Sequence, residues 1–98
     1  MLEKEIERRM VQTVKERGGL CYKFVSPSNP GVPDRIIITP DGRVIFVELK
    51  TEIGRLASIQ RWQISEMQKR GADVRIVKGW TAVKAMLEEV MPNGIQTT

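Results

Sequence analysis

The sequence predicts an α/β domain with a small mixed sheet flanked by helices. Three observations carry that prediction: an amphipathic first segment, two adjoining β-branched runs split by a tight turn, and a later alternation of helix, strand and helix.

The elements follow in order. From Glu3 to Arg17 the apolar residues Ile6, Met10, Val11 and Val14, with Leu2 just ahead, recur at helical spacing, and Gly18-Gly19 supplies the stop. Glu5 and Glu16 fall on the polar side of this helix, whereas Glu7 falls between Val11 and Val14 inside the apolar stripe, with Glu3 on the same stripe one turn earlier. A carboxylate on a buried face is uncommon unless it is paired or binds a metal. Leu20 to Val25 reads as a strand, and Ser26-Pro27-Ser28-Asn29-Pro30-Gly31-Val32-Pro33 as a loop dense in turn formers. The runs Asp34–Thr39 and Arg43–Lys50, separated by Pro40-Asp41-Gly42, give a hairpin signal, and their almost continuous hydrophobicity predicts strands covered on both faces. After the polar stretch Thr51 to Ala57, Ser58 is the expected cap of a helix reaching about Arg70, with Ile59, Trp62, Ile64 and Met67 as core candidates. Asp73 to Val77 is then a short strand, and Thr81 the expected cap of a last helix through Val90. Residues 1–91 are expected to form one domain and 92–98 a short C-terminal tail.

Composition narrows the chemistry. Ninety-eight residues suffice for one compact core, and 41% hydrophobic with 29% charged residues is ordinary for a globular chain. No histidine is present, which removes Ser-His-Asp triads, imidazole acid–base schemes and the histidine ligands of catalytic zinc. The single cysteine, Cys21, removes thiolate metal sites and internal disulfides, and is read as a packed small hydrophobe. Any catalysis must run on carboxylates, lysine, hydroxyls and a hard oxygen-liganded cation such as magnesium or manganese. Sixteen basic against twelve acidic side chains leave a net charge of +4, which leans towards a nucleic-acid partner. There is no apolar run of membrane-spanning length and no apolar signal core behind the charged start, so the expected location is the cytoplasm.

Pro33-Asp34, followed fourteen residues later by Glu48-Leu49-Lys50, is the constellation on which function turns. Residues two apart in a strand share a face, so Glu48 and Lys50 project together. Two registers remain open for Asp34. A three-residue Pro40-Asp41-Gly42 loop pairs Thr39 with Arg43 and sets Asp34 opposite Glu48, whereas a two-residue Asp41-Gly42 loop sets Arg35 there and turns Asp34 away. Opposed carboxylates repel unless a cation lies between them, which is the physical reason to expect a metal. A metal at this point would hold a scissile phosphate oxygen and acidify a bound water, with Lys50 placed to orient that water or steady the pentacovalent phosphate. Glu7 would be a third carboxylate or a water-mediated ligand, with Glu3 left open as the helix-1 carboxylate in its place.

Gly31-Val32-Pro33-Asp34-Arg35, Val47-Glu48-Leu49-Lys50, Gln60 early in the next helix and Val74-Arg75-Ile76-Val77 resemble the VRR-NUC family of the PD-(D/E)xK nuclease superfamily. The resemblance implies a restriction-endonuclease-like αβββαβ core with an added C-terminal helix, and hydrolysis of DNA phosphodiesters with Mg²⁺ or Mn²⁺. It implies Asp34 and Glu48 as metal ligands, the Leu49 carbonyl as another, Lys50 as the catalytic lysine, Glu7 as the helix-1 glutamate and Gln60 as an aid near the metal-site water or a phosphate. Arg35 stands where many relatives carry an apolar residue. Stand-alone members of this size, often phage-encoded and so acting in the host cytoplasm, resemble Holliday junction resolvases, which work as homodimers on branched DNA. Flaps, nicked duplexes, RNA, or a catalytically silent DNA-binding role are the competing readings. Among basic residues Arg55, in the loop directly after Lys50, is the favoured neighbour of the scissile phosphate, with Arg35 and Lys23 as further DNA-contact candidates; Arg43, Lys69, Arg70, Arg75, Lys78 and Lys84 are also candidates for phosphate contact, and strand alternation cannot put them all on one surface. Trp62 and Trp80 are expected to pack rather than to stack on bases.

Overall fold

A computed structural model of the chain describes residues 1–92; the expected tail lies, from residue 93 on, outside the described residues. The elements are α1 (Glu3–Glu16), β1 (Leu20–Lys23), β2 (Arg35–Ile38), β3 (Val44–Lys50), α2 (Ser58–Lys69), β4 (Val74–Lys78) and α3 (Gly79–Val90). They form one four-stranded sheet in the order β1-β2-β3-β4, antiparallel across the first three strands and parallel between β3 and β4. The expected mixed α/β sheet is what the chain builds.

Strand alternation divides the sheet into two unlike faces. Ile37, Ile45, Val47, Leu49 and Val77 point to one side, where they bury against Ile6, Met10 and Val14 of α1 and Val83, Leu87 and Val90 of α3. This is the core. α1 ends in a Schellman pair of bonds, Gly19 N–H to Val14 O and Gly18 N–H to Lys15 O, which turns the chain directly into β1.

The other face corrects the expectation of strands covered on both sides. α2 lies over β4, so Leu20, Tyr22 and Val44 stay 48%, 53% and 44% exposed on neighbouring rungs. The core assignments in α2 change with it: Ile64 is buried, whereas Ile59 is 45% and Trp62 57% exposed. The stripe that α2 presents to the sheet contains Gln60 as well as Ile64, four residues and about 40° apart on the helical wheel, and Trp62 sits roughly opposite both. Trp80, by contrast, packs against the core beneath the Arg9 guanidinium. Both expected helix caps also move. Ala57 is the N-cap of α2, with its N–H bonded to the Gln60 side chain, and Lys78 precedes α3 where Thr81 was expected to cap.

Candidate active site

The hairpin settles the register. Thr39 N–H donates to Arg43 O and Gly42 N–H to Thr39 O, each at 2.9 Å, which closes a three-residue Pro40-Asp41-Gly42 loop. Gly42 takes φ +89°, the left-handed position such a loop needs. The Thr39 hydroxyl, which also binds the Asp41 carboxylate, accepts Arg43 N–H. The strands then pair Arg35 with Val47, and one further step sets Asp34 opposite Glu48. Phe24 N–H donates to Asp34 O, tying the start of β2 to the end of β1.

The loop before Asp34 is braced from behind. Pro33 is fully buried, and Gly31, at φ +91°, lies so close to the first turn of α2 that a methyl group there would meet Ile59 O at 2.7 Å. The loop that carries Asp34 is thereby docked onto the helix that carries Gln60. Only glycine permits both the backbone angle and that approach.

Glu48 is the centre of the cluster. It is 1% exposed, and its Oε2 accepts Gln60 Nε2 at 3.1 Å and lies 3.5 Å from Lys50 Nζ. Its Oε1 is buried and accepts no hydrogen bond from the described residues. Burial, and then the neighbouring Asp34 charge, push the Glu48 carboxyl above its ordinary range, against the opposing pull of the Lys50 ammonium. Gln60 is held at both ends, because its Oε1 also accepts Ala57 N–H at 2.9 Å. That pairing fixes the amide with its NH₂ towards the carboxylate; the flipped amide would set oxygen against oxygen. A buried carboxylate oxygen without a donor, facing a second, exposed carboxylate, is a donor set that suits a hard divalent cation.

The structure does not bring every sequence candidate to this place. Glu7 reaches the opposite face of the sheet, where its Oε2 accepts Arg35 Nε at 2.9 Å, and no group of three carboxylates forms among the described residues. Alternation explains the separation: Arg35 shares a face with Val47, the core side, and Glu48 has the other. The half-buried acidic residue of α1 is thus answered by an arginine. Lys23 pairs with Arg35 in register and belongs to that same side, so neither converges with Glu48 and Lys50. Leu49 buries its side chain in the core, leaving only its backbone to serve the site. Arg55 is exposed in the loop beyond Lys50, with no ion partner among the described residues. The hollow of about 280 Å³ lined by Arg17, Pro40, Arg43 and Met91 lies at the far end of the sheet and takes no part. The Glu48 cluster is instead open to solvent at Asp34.

Fold and cluster together define a nuclease-type α/β domain. The chain belongs to the VRR-NUC domain family, whose model matches residues 3–80. A solved structure described as "VRR_NUC domain" superposes with a TM-score of 0.83 at 28% identity, covering 90% of this chain and 96% of that one. A second, described as "VRR_NUC domain protein", shares the fold with a TM-score of 0.77 at 17% identity, covering 93% of this chain and 88% of that one. In sequence the chain is similar to "Putative nuclease p44" of Acyrthosiphon pisum secondary endosymbiont phage 1, 52% identical over 48 residues. Those residues are 49% of this chain and 52% of that protein, so the match spans about half the length of the curated relative.

Proposed function

We propose that the chain is a divalent-metal-dependent endonuclease that hydrolyses DNA phosphodiester bonds, acting on four-way junctions as a homodimer. The observation that carries the reading is the buried, unpartnered Glu48 Oε1 opposite Asp34, with the Lys50 ammonium beside the same carboxylate. Asp34 and Glu48, with the Leu49 carbonyl, would hold a Mg²⁺ or Mn²⁺ ion, which when bound polarises the phosphate and lowers the pKa of water. Lys50, leaning on Glu48 and 18% exposed, can orient the attacking water or stabilise charge on the phosphate oxygens. Gln60 keeps Glu48 in one rotamer. Arg55 stands in the loop leading away from Lys50 and supplies a phosphate contact.

One centre cuts one strand, so symmetric resolution of a junction calls for two copies. The bare apolar face formed by Leu20, Tyr22 and Val44, with half-buried Ile36 and Ile38 between them, supports a second copy as the occupant. No helix among the described residues is long and apolar enough to cross a membrane, and we place the protein in the cytoplasm, that of the host if a phage encodes it.

A panel of end-labelled four-way junctions, flaps, nicked duplexes, intact duplexes and RNA, cut in Mg²⁺ and analysed beside sedimentation, tests this reading. Paired symmetric cuts in the junction by a dimer are expected. Preferential cutting of flaps, nicks or RNA would overturn the substrate assignment, and symmetric resolution by a protein that sediments only as monomer would overturn the assembly.

A further inference from the structure

The parallel pairing of β3 with β4 sets Lys50 beside Lys78, one rung on from Glu48 beside Ile76. Residues in parallel register share a face, so Lys78 projects on the Glu48 and Lys50 side; the next residue back, Val77, is buried with Leu49 in the core. Adjacent strands are about 4.8 Å apart, so two ammonium-bearing side chains leave the sheet side by side. Like charges opposed on neighbouring strands repel unless an opposite charge lies between them.

The two lysines differ in their partners. Lys50 leans on Glu48 at 3.5 Å, whereas the Lys78 side chain is exposed and makes no ion pair or hydrogen bond among the described residues. Most other basic candidates at the sheet and α2 are engaged: Arg35 with Glu7, Arg43 and Arg75 with Asp73, and Lys69 and Arg70 with Glu66. Gly79 takes φ +81° directly under the Glu52 side chain, so the end of β4 lies against the loop that follows Lys50. The face therefore carries an acidic rung, Asp34 and Glu48, directly followed by a basic rung, Lys50 and Lys78.

We propose that Lys78 is a phosphate-positioning residue that holds the DNA backbone beside the phosphate attended by Lys50. The inference rests on the nuclease reading and adds to it the path of the strand, across the sheet from Asp34 and Glu48 towards the end of β4. A contact made equally in bound substrate and transition state weakens KM and leaves kcat nearly unchanged.

The test compares wild type, Lys78→Gln, Lys78→Arg and Lys84→Gln, the last removing an exposed α3 lysine outside the cluster. Affinity for a fluorescein-labelled four-way junction in EDTA is measured across a salt series, and KM and kcat are then measured in Mg²⁺. For Lys78→Gln the dissociation constant and KM should rise about three- to tenfold with kcat within about twofold, and the salt slope should fall by about one. Lys78→Arg should restore all three, and Lys84→Gln should match wild type. A Lys78→Gln protein with unchanged affinity and slope, or a Lys84→Gln protein with the same losses, overturns the assignment of Lys78 while wild-type cutting leaves the nuclease reading standing. Wild-type protein that neither binds nor cuts any DNA overturns both.

Discussion

At the hairpin end of the sheet Asp73 receives Arg75 and Arg43, and Arg75 reaches on to Glu89 at 3.0 Å, so each of these charges faces an opposite one. At the other end Asp34 faces Glu48 and Lys50 stands beside Lys78. Strands β3 and β4 run from one arrangement to the other, with Glu89 of α3 joining the first and Asp34, just ahead of β2, the second. The first is a structure complete in itself, whose carboxylates are held low: the Arg75 guanidinium keeps both Asp73 and Glu89 below their ordinary range. The second leaves a buried oxygen without a donor and a carboxyl pushed up by burial, an arrangement that the proposed cation would complete. Charge pairing marks one end and charge segregation the other, the end at which the chemistry is proposed.

The contrast can be broken most forcefully at Glu48. Glu48→Gln should reduce cleavage by at least about a hundredfold, since it removes the charge proposed to ligate the metal. Without metal it should also stabilise the fold by on the order of 1 kcal/mol, about 4–8 °C in Tm for a chain this size, because an ionised carboxylate no longer has to be buried. The sign follows from the raised pKa: the Glu48 contribution is full below the ordinary carboxylate range and is lost as pH rises through its elevated value. The stabilisation by glutamine should therefore grow from acid to neutral pH in thermal melts, and a destabilised variant at neutral pH would contradict the account.

Gly31→Ala tests the brace behind Asp34. A side chain at φ +91° against Ile59 O should cost about 2 kcal/mol or more in urea unfolding, with a loss of cleavage beyond what that stability explains. Gln60→Ala should cost about 1 kcal/mol through the lost Ala57 N–H bond and lower kcat about tenfold as Glu48 loses its tether. The smallest effect belongs to the paired end. Asp73→Asn should cost under about 1 kcal/mol, since the Asp73 pairs are partly exposed and screened by solvent. Its pH dependence should run opposite to that of Glu48: the contribution is present above the ordinary aspartate range and lost as pH falls through the lowered value. A pH-independent difference between wild type and Asp73→Asn would show that the Asp73 network is not the stabilising counterpart assumed here.

Much of this was legible in the sequence because local rules govern it. The period of α1 and the β-branched runs fix elements within a few residues of themselves, and the Pro40-Asp41-Gly42 turn narrows the register to two, of which the structure takes the one that faces Asp34 with Glu48. What stayed hidden depends on which face a neighbour covers. Glu7 sits on the apolar side of α1 as its spacing implies, yet that side packs on the core face of the sheet, and its partner there is Arg35. Trp62 was misplaced for the converse reason: α2 turns Gln60 inward with Ile64, so hydrophobicity alone points to the wrong stripe. Lys78 is one of several basic candidates in the sequence and nothing local singles it out, since its closeness to Lys50 arises only from a parallel pairing across 28 residues of chain.

The most direct measurement is cleavage of a labelled four-way junction by wild type in Mg²⁺, in Mn²⁺ and in EDTA, with Lys50→Ala alongside. The account predicts cutting with either cation, none in EDTA, and at least about a hundredfold slower cutting by Lys50→Ala with junction binding largely retained. Cutting that persists in EDTA, or that is undiminished by Lys50→Ala, would contradict it.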